Sequence, residues 1–590
     1  MTQHDPHSYA DLTQGKISQI DLRIKADFET HILHIEADYQ LEEPVSGSLF
    51  LDTSKINLET AHTNGQPIQY EFDKQGDLLG ERLHLGGLEN ASSFTLRFAT
   101  APEARSLQWL PAVQTAGGEH PFLFSQCQPI NARSIFPCQD TPSVRFTFSA
   151  EVEVPAALTA VMAAEQVGSE VRGENKVFQF KMPQPIPSYL FALGVGHLTF
   201  RELGPRTGVY AEPEMIDDAA WEFAENEAKM VAAEKLLGSY LWGRYDLLIM
   251  PPSFPYGGME NPRLTFLTPT AIMGNRRATY LITHELAHAW TGNLVTNATW
   301  EDFWLNEGWT TYAELRMTEV LEDKEEADLT AVFYNNMLFE IMERVGVDSP
   351  LTCLKVPSEG RDPETTFTGI PYYKGYDFLA ECERVVGRDR FDAFMQKYIE
   401  KYKFQSLSTE AFLDYLKQEL PEVFEKVDVQ TWVYETGMPE EWHKPQSDLY
   451  DVVQEVLAAY QKGTRPTKEQ VADWRRYQMG SFLMGLPKQI PVEDCKYFEK
   501  ILELQKKKDS GAYSLFYPIC ILSGYQEILP RIEEYLGNIG RGLFIQPIFR
   551  AMIATDWAKG HARHILENVR ERHHPITVHV INKLLEDAGL

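Results

Sequence analysis

The sequence predicts a multidomain α+β protein: an N-terminal β-sheet domain, a middle domain of mixed helices and strands, and a C-terminal α-helical domain. Three observations lead there. Apolar and polar residues alternate through residues 15–195, as in Ile20, Leu22 and Ile24 or Phe94, Leu96 and Phe98. The middle of the chain mixes strand and helix patterns around His284-Glu285-Leu286-Ala287-His288. From Asp448 onward, helical patterns follow one another to the end. The boundaries drawn are 1–198 for the β domain, 199–438 for the middle domain, 439–447 for a linker and 448–590 for the helical domain. A chain of 590 residues with 43% hydrophobic content has the length for several domains and the apolar material for their cores.

Within the first domain, Asn64-Gly65 is a hairpin turn signal. Val144, Phe146 and Phe148, then Val152 and Val154, continue the alternation. The proline-rich stretch 183–187 is expected to break any regular element. Gln126 and Gln128 fall between strand candidates, where a plain turn and a loop reaching toward a site both fit. In the middle domain, 219–237 reads as a helix and 245–250 as a strand, and Ser408-Thr409-Glu410 reads as a helix start. The linker is polar and holds two prolines. Beyond it, Thr467 to Gln470 has the form of a capping box. Val452, Val453, Val456 and Leu457 form one apolar stripe, more simply a core face than a partner surface.

The chemistry centres on His284 and His288. On a helix they lie one turn apart on one face, close enough to share a metal, with Glu285 placed to take a proton from water. Catalytic zinc sites use three protein ligands and one open position. Glu307, in Trp304-Leu305-Asn306-Glu307-Gly308, is the natural third ligand. The 19 residues from His288 to Glu307 allow one helix to end and a second to present the carboxylate. Two neutral histidines and one carboxylate leave one Zn(2+) per chain with net positive charge. Leu281, Ile282, Leu286, Ala287, Ala289 and Trp290 make the segment apolar, so its His and Glu residues need partners or a metal. Just upstream, Tyr256-Gly257-Gly258-Met259-Glu260-Asn261 reads alone as an ordinary turn. Beside a metal site its backbone could pair with a peptide while Glu260 holds a free α-amino group.

These motifs together resemble the zinc aminopeptidases of the aminopeptidase N class (gluzincins), and within them the leukotriene-A(4) hydrolase branch. The branch is marked by Gln126-Cys127-Gln128-Pro129, by the run from Arg133-Ser134-Ile135-Phe136 to Pro137-Cys138-Gln139-Asp140, by Pro371-Tyr372-Tyr373-Lys374-Gly375 and by His574-Pro575-Ile576-Thr577. The resemblance covers nearly the whole chain. It implies a thermolysin-like middle domain and a helical C-terminal domain beside the cleft, which would favour short peptides. It implies an exopeptidase in which Glu285 moves the proton of the attacking water and the Tyr372 phenol stabilises the oxyanion. Glu260, helped by Gln128, would bind the substrate ammonium, and Gln126, Gly257, Gly258 and Met259 would line the peptide. Arg541 would meet a substrate carboxylate. Taken alone, Tyr372 reads more simply as a packed aromatic and Arg541 as a solvated or structural charge. Asp302 and Glu314 are candidate acceptors behind the ligand histidines, and a surface or cap role fits either equally well.

Three positions depart from the mammalian epoxide hydrolase of that branch. Glu364 stands where it has aspartate, Phe367 where it has tyrosine and Leu543 where it has lysine. Peptide hydrolysis requires none of those three residues. An aminopeptidase is therefore expected, with the epoxide hydrolase as the alternative. A non-catalytic peptide-binding protein is the third reading, and the presence of Glu285 and all three metal ligands weighs against it.

Lys plus Arg number 55 and Asp plus Glu 85, a formal net charge of −30, which disfavours nucleic acid and anionic membranes as partners. The same field suits a peptide with a free, protonated N-terminus. Six cysteines form no disulfide framework in a chain this long, and residues 1–14 are polar, so a cytoplasmic protein is expected. No heptad run announces an oligomer, and a monomer is expected.

Overall fold

The computed structural model describes all residues except 1–4, 46, 77, 89, 277 and 278, with 279 and 280 described in backbone only. The N-terminal part is built on an eight-stranded sheet. Ile17–Asp27 lies at its middle, antiparallel to Ile32–Leu41 and parallel to Arg145–Pro155. Alternate residues of Ile32–Leu41 are buried, as a one-sided sheet requires. Asn64 and Gly65 both take positive φ, 49° and 74°, in the tight turn their sequence announces. The proline stretch does not end its strand. Asn175–Pro187 runs through it, and the ladder with Arg145–Pro155 absorbs the prolines as a register shift between Phe146 and Phe148. Prolines lack the N–H a ladder needs and are tolerated at such an irregularity.

A four-stranded sheet leads to the site. Its strand Phe122–Ser125 is entirely buried and delivers Gln126 and Gln128 immediately after its end. The run from Arg133 to Asp140 is a buried knot rather than part of the cleft. Arg133 Nε donates to Asp140 at 2.9 Å and its Nη2 donates to the His7 carbonyl at 2.7 Å.

The middle part opens with a five-stranded sheet whose edge strand is Gly258–Met259, antiparallel to Leu264–Leu267. Tyr245–Ile249 is a buried strand, as read from sequence. Residues 219–237 are not one helix but parts of two, Ile216–Glu222 and Asn226–Leu237. The break falls where Phe223 turns fully into the core. Helices Thr279–Ala287, Trp304–Leu321, Lys324–Val345 and Ile370–Val386 follow. Trp304–Leu321 is buried on every side from Trp304 to Leu315, the mark of a central helix. Ser408 caps Thr409–Glu419 by accepting from the Ala411 N–H.

Residues 435–447 hold no helix or strand, and helices run from Asp448–Gln461 to Pro575–Asp587. The Thr467–Gln470 capping box forms in both directions. Val453, Val456 and Leu457 are buried, whereas Val452 is 44% exposed and lies off the stripe. One continuous apolar core joins the N-terminal and middle parts, from Ile17 to Val433, and a separate one fills the C-terminal helices. All six cysteines are buried and free. Among the described residues, no helix is long and apolar enough to cross a membrane.

Candidate active site

Helix Thr279–Ala287 presents His284 and Glu285, and His288 follows its last residue. The His288 N–H still donates to the His284 carbonyl at 3.2 Å, so the helical spacing holds for one more residue. The two Nε2 atoms are 3.2 Å apart, and Glu307 Oε2 is 3.4 Å from each. A tetrahedral zinc with bonds of about 2.0–2.1 Å sets its ligand atoms about 3.3 Å apart. The triangle fits that ion. Glu307 Oε2 is buried without a hydrogen-bond donor among the described residues, which leaves its lone pair free for a cation. His284, His288 and Glu307 form one of the groups able to hold a metal ion.

Glu314 stands two helical turns after Glu307 and accepts from His284 Nδ1 at 2.9 Å. Its other oxygen accepts from the Tyr334 hydroxyl at 2.7 Å. His288 Nδ1 lies 3.2 Å from the Thr291 carbonyl and 3.1 Å from Thr310 Oγ1. Both rings are thus turned with Nε2 toward the shared point. Asp302 is not one of these partners. Its carboxylate is consumed by the Thr409 N–H and the Thr299 hydroxyl, each at 2.9 Å, in the turn before the ligand helix.

Carboxylates crowd the site. Burial raises the pKa of Glu285 to about 7 and that of Glu260 above its usual range. Burial opposes charge on His284, yet the Glu307 and Glu314 carboxylates beside it raise its pKa well above the ordinary histidine value. The cluster draws positive charge into a buried space, the environment a divalent cation satisfies. Gly258 makes room here. A Cβ at that position would lie 2.2 Å from Glu285 Oε1.

Glu260 is 5% exposed, and one ligand atom each from Glu260, Glu285 and His288 fall within 4.8 Å of one another. Gln128 Nε2 donates to Glu260 Oε1 at 3.3 Å, and Gln126 Nε2 lies 3.2 Å from Met259 Sδ. Tyr372 stacks on His284 with ring centroids 5.9 Å apart. Burial keeps its phenol protonated. Tyr373 turns away to pack on Tyr334 at 4.8 Å. Arg541 reaches in from the C-terminal helices. Its Nη2 is 2.7 Å from where a Gly257 Cβ would stand, and its Nε has no hydrogen-bond partner among the described residues. Gly540 and Gly542 fix that loop by donating to the Pro252 and Pro255 carbonyls at 2.9 and 3.0 Å.

A cavity of about 410 Å³ adjoins the site, lined by Arg105, Gln126, Asn131, Tyr256, Glu364 and Ile576. Arg105 bridges Asp362 at 2.8 Å and Glu364 at 2.5 Å. Phe367 stacks on Phe303 at 4.2 Å, and Leu543 is 64% exposed. Sequence reasoning missed Arg105, Thr310 and Tyr334. Thr310 lies one turn from Glu307 and could have been found from helical spacing. Arg105 and Tyr334 leave no local signal.

Two histidines one turn apart, a glutamate from a second helix and a free carboxylate beside them define a zinc metallopeptidase. The sequence matches the Peptidase M1 N-terminal domain over residues 6–190, the Peptidase family M1 domain over 221–432 and the Leukotriene A4 hydrolase C-terminal domain over 474–585. It is 35% identical to a leukotriene A-4 hydrolase of Xenopus laevis, covering 98% of each chain. It is 34% identical to a leucine aminopeptidase 2 of Ajellomyces capsulatus, over 91% of this chain and 89% of that one. The solved leukotriene A4 hydrolase of Saccharomyces cerevisiae superposes with a TM-score of 0.89 at 30% identity, over 100% of this chain and 98% of that one. The chain belongs to peptidase family M1, in its leukotriene A4 hydrolase-like branch, and is a zinc aminopeptidase.

Proposed function

We propose that the enzyme releases single N-terminal residues from short peptides, with its roles divided as follows. Zinc, when bound by His284, His288 and Glu307, polarises the scissile carbonyl and acidifies the attacking water. Glu260, with Gln128 beside it, receives the substrate ammonium. The edge strand Gly258–Met259, with Gly257 before it and Gln126 beside it, pairs with the peptide backbone. Glu285 takes the proton of the attacking water and returns it to the leaving amine. The Tyr372 phenol donates to the developing oxyanion. Arg541 meets the carboxylate of a short peptide.

The observation that carries this reading is the closeness of Glu260 to Glu285 and His288, within 4.8 Å. A buried carboxylate that near the reacting position leaves room for one residue before the bond to be cut. The test is a panel of aminoacyl-anilides beside their N-acetylated forms, with and without chelator. Only free-amine substrates are cleaved, chelation abolishes the activity and zinc restores it. Equal cleavage of blocked substrates overturns the exopeptidase reading.

The epoxide hydrolase alternative finds little support in the three departures. The Glu364 carboxylate is engaged by Arg105, Phe367 is stacked on an aromatic, and Leu543 brings no charge beside Arg541. Turnover of an epoxide lipid would reverse this. The six buried free thiols support a cytoplasmic location, and the reading adopted is of a monomer acting on peptides, without nucleic acid or membrane partners.

A further inference from the structure

We infer that Gly308 and Gly375 are positioning residues: their backbone-to-backbone contact sets the Tyr372 phenol at its distance from Glu307. The inference rests on the proposed role of Tyr372.

Both glycines sit inside helices, Trp304–Leu321 and Ile370–Val386, and neither has positive φ. Glycine in a helix interior is destabilising relative to alanine, and here the backbone does not need its conformational freedom. The reason lies across the interface. A Cβ on Gly375 would lie 2.7 Å from Gly308 Cα, and a Cβ on Gly308 would lie 2.9 Å from Gly375 Cα and 3.1 Å from the Pro371 carbonyl oxygen. These are backbone atoms, which no rotamer change can move aside. The two helices therefore cross with main chain against main chain.

The crossing point lies beside the two groups it would set. Gly308 directly follows Glu307, Pro371 directly precedes Tyr372, and Gly375 is nearly one turn beyond it. The Tyr372 ring stacks on the ligand His284 with centroids 5.9 Å apart, and Glu307 stands on the helix that its own helix crosses, so the spacing of the helices becomes the spacing of the phenol from the metal ligands. The metal-side helix is pinned through the Glu314 to His284 bond and through Thr310 against Thr291. The tyrosine helix is held where Lys374 Nζ donates to the carbonyls of Thr352 and Glu435 at 2.9 and 3.2 Å. A methyl group at the crossing separates the helices and draws the phenol off its position. Misplacement of a reacting group by about 1 Å can cost on the order of a hundredfold in rate.

The test is a double-mutant cycle on the full-length, zinc-loaded enzyme, with kcat expressed per bound zinc. Gly375→Ala lowers kcat at least about tenfold on a free-amine anilide, leaves KM within about threefold and keeps one zinc per chain. Gly308→Ala acts in the same direction. In a Tyr372→Phe background, Gly375→Ala lowers kcat less than about twofold, because no phenol remains to be misplaced. Full activity of Gly375→Ala overturns the inference. So does the same fold-loss with and without Tyr372, or a variant that does not fold, since either shows a general packing role. If Tyr372→Phe alone keeps full kcat, the role of the phenol itself fails, and that result is separate from the behaviour of Gly375→Ala.

Discussion

Gln128 Nε2 donates to Glu260 Oε1 at 3.3 Å across 132 residues of sequence, joining the loop after an N-terminal strand to the edge of the active-site sheet. The bond occupies one oxygen of a buried carboxylate and leaves the other for a substrate ammonium. A charge-assisted hydrogen bond of this kind is worth roughly 1.5–3 kcal/mol. Glu260→Gln therefore lowers kcat/KM on free-amine substrates about a hundredfold, and Gln128→Ala about tenfold. Steady-state kinetics on one aminoacyl-anilide check both.

Glu314 and Asp302 separate two meanings of a buried acid near a metal site. Glu314 orients His284, so Glu314→Gln weakens zinc binding about 10–100-fold in competition with a chelator. Asp302 bonds the Thr409 N–H and the Thr299 hydroxyl instead, so Asp302→Asn leaves zinc affinity unchanged and lowers the thermal midpoint.

Arg105 pairs with Asp362 and with Glu364, and Glu364 shares with it the wall of the cavity that Gln126 and Tyr256 also line. Arg105→Ala leaves the Glu364 carboxylate there without its cation. Substrates with a basic first residue then gain about three- to tenfold in kcat/KM relative to leucine, and added salt erodes the gain. A ratio of kcat/KM values at two ionic strengths reads it.

His574 couples the molecule to acid. Burial lowers its pKa to about 4, below an unfolded value near 6.5. Its neutral Nδ1 accepts from the Ile576 N–H at 3.2 Å, and its ring packs against Phe124 at 5.9 Å. Because the folded value is the lower one, the unfolded chain binds the proton first. The stability is full above pH 6.5 and is lost as pH falls toward 4, by up to roughly 3 kcal/mol. The thermal midpoint of the native enzyme falls over that window, and His574→Gln flattens the fall.

What could be read from the sequence mostly followed local rules. The turn at Asn64-Gly65, the caps at Ser408 and Thr467 and the spacing of His284 and His288 depend on neighbours within a turn or two, and the structure carries them as written. Glu307 comes from a second helix and was legible only as part of a motif. Elsewhere tertiary contacts decided. Phe223 breaks a helical pattern because the core takes its ring, and the prolines of 183–187 survive in a strand because the partner shifts register. Asp302 and Glu314 looked alike in sequence, and only packing shows which one reaches a histidine. Gly308 and Gly375, 67 residues apart, reveal their contact only when the helices cross.

The most direct test of the account is turnover by zinc-loaded Glu285→Gln, with metal content measured on the same sample. The amide is nearly the size of the carboxylate and cannot take the proton of the attacking water. The account predicts one zinc per chain and a kcat lower by about 10²–10⁴-fold on a free-amine anilide. Turnover close to that of the parent enzyme at full zinc content would contradict it.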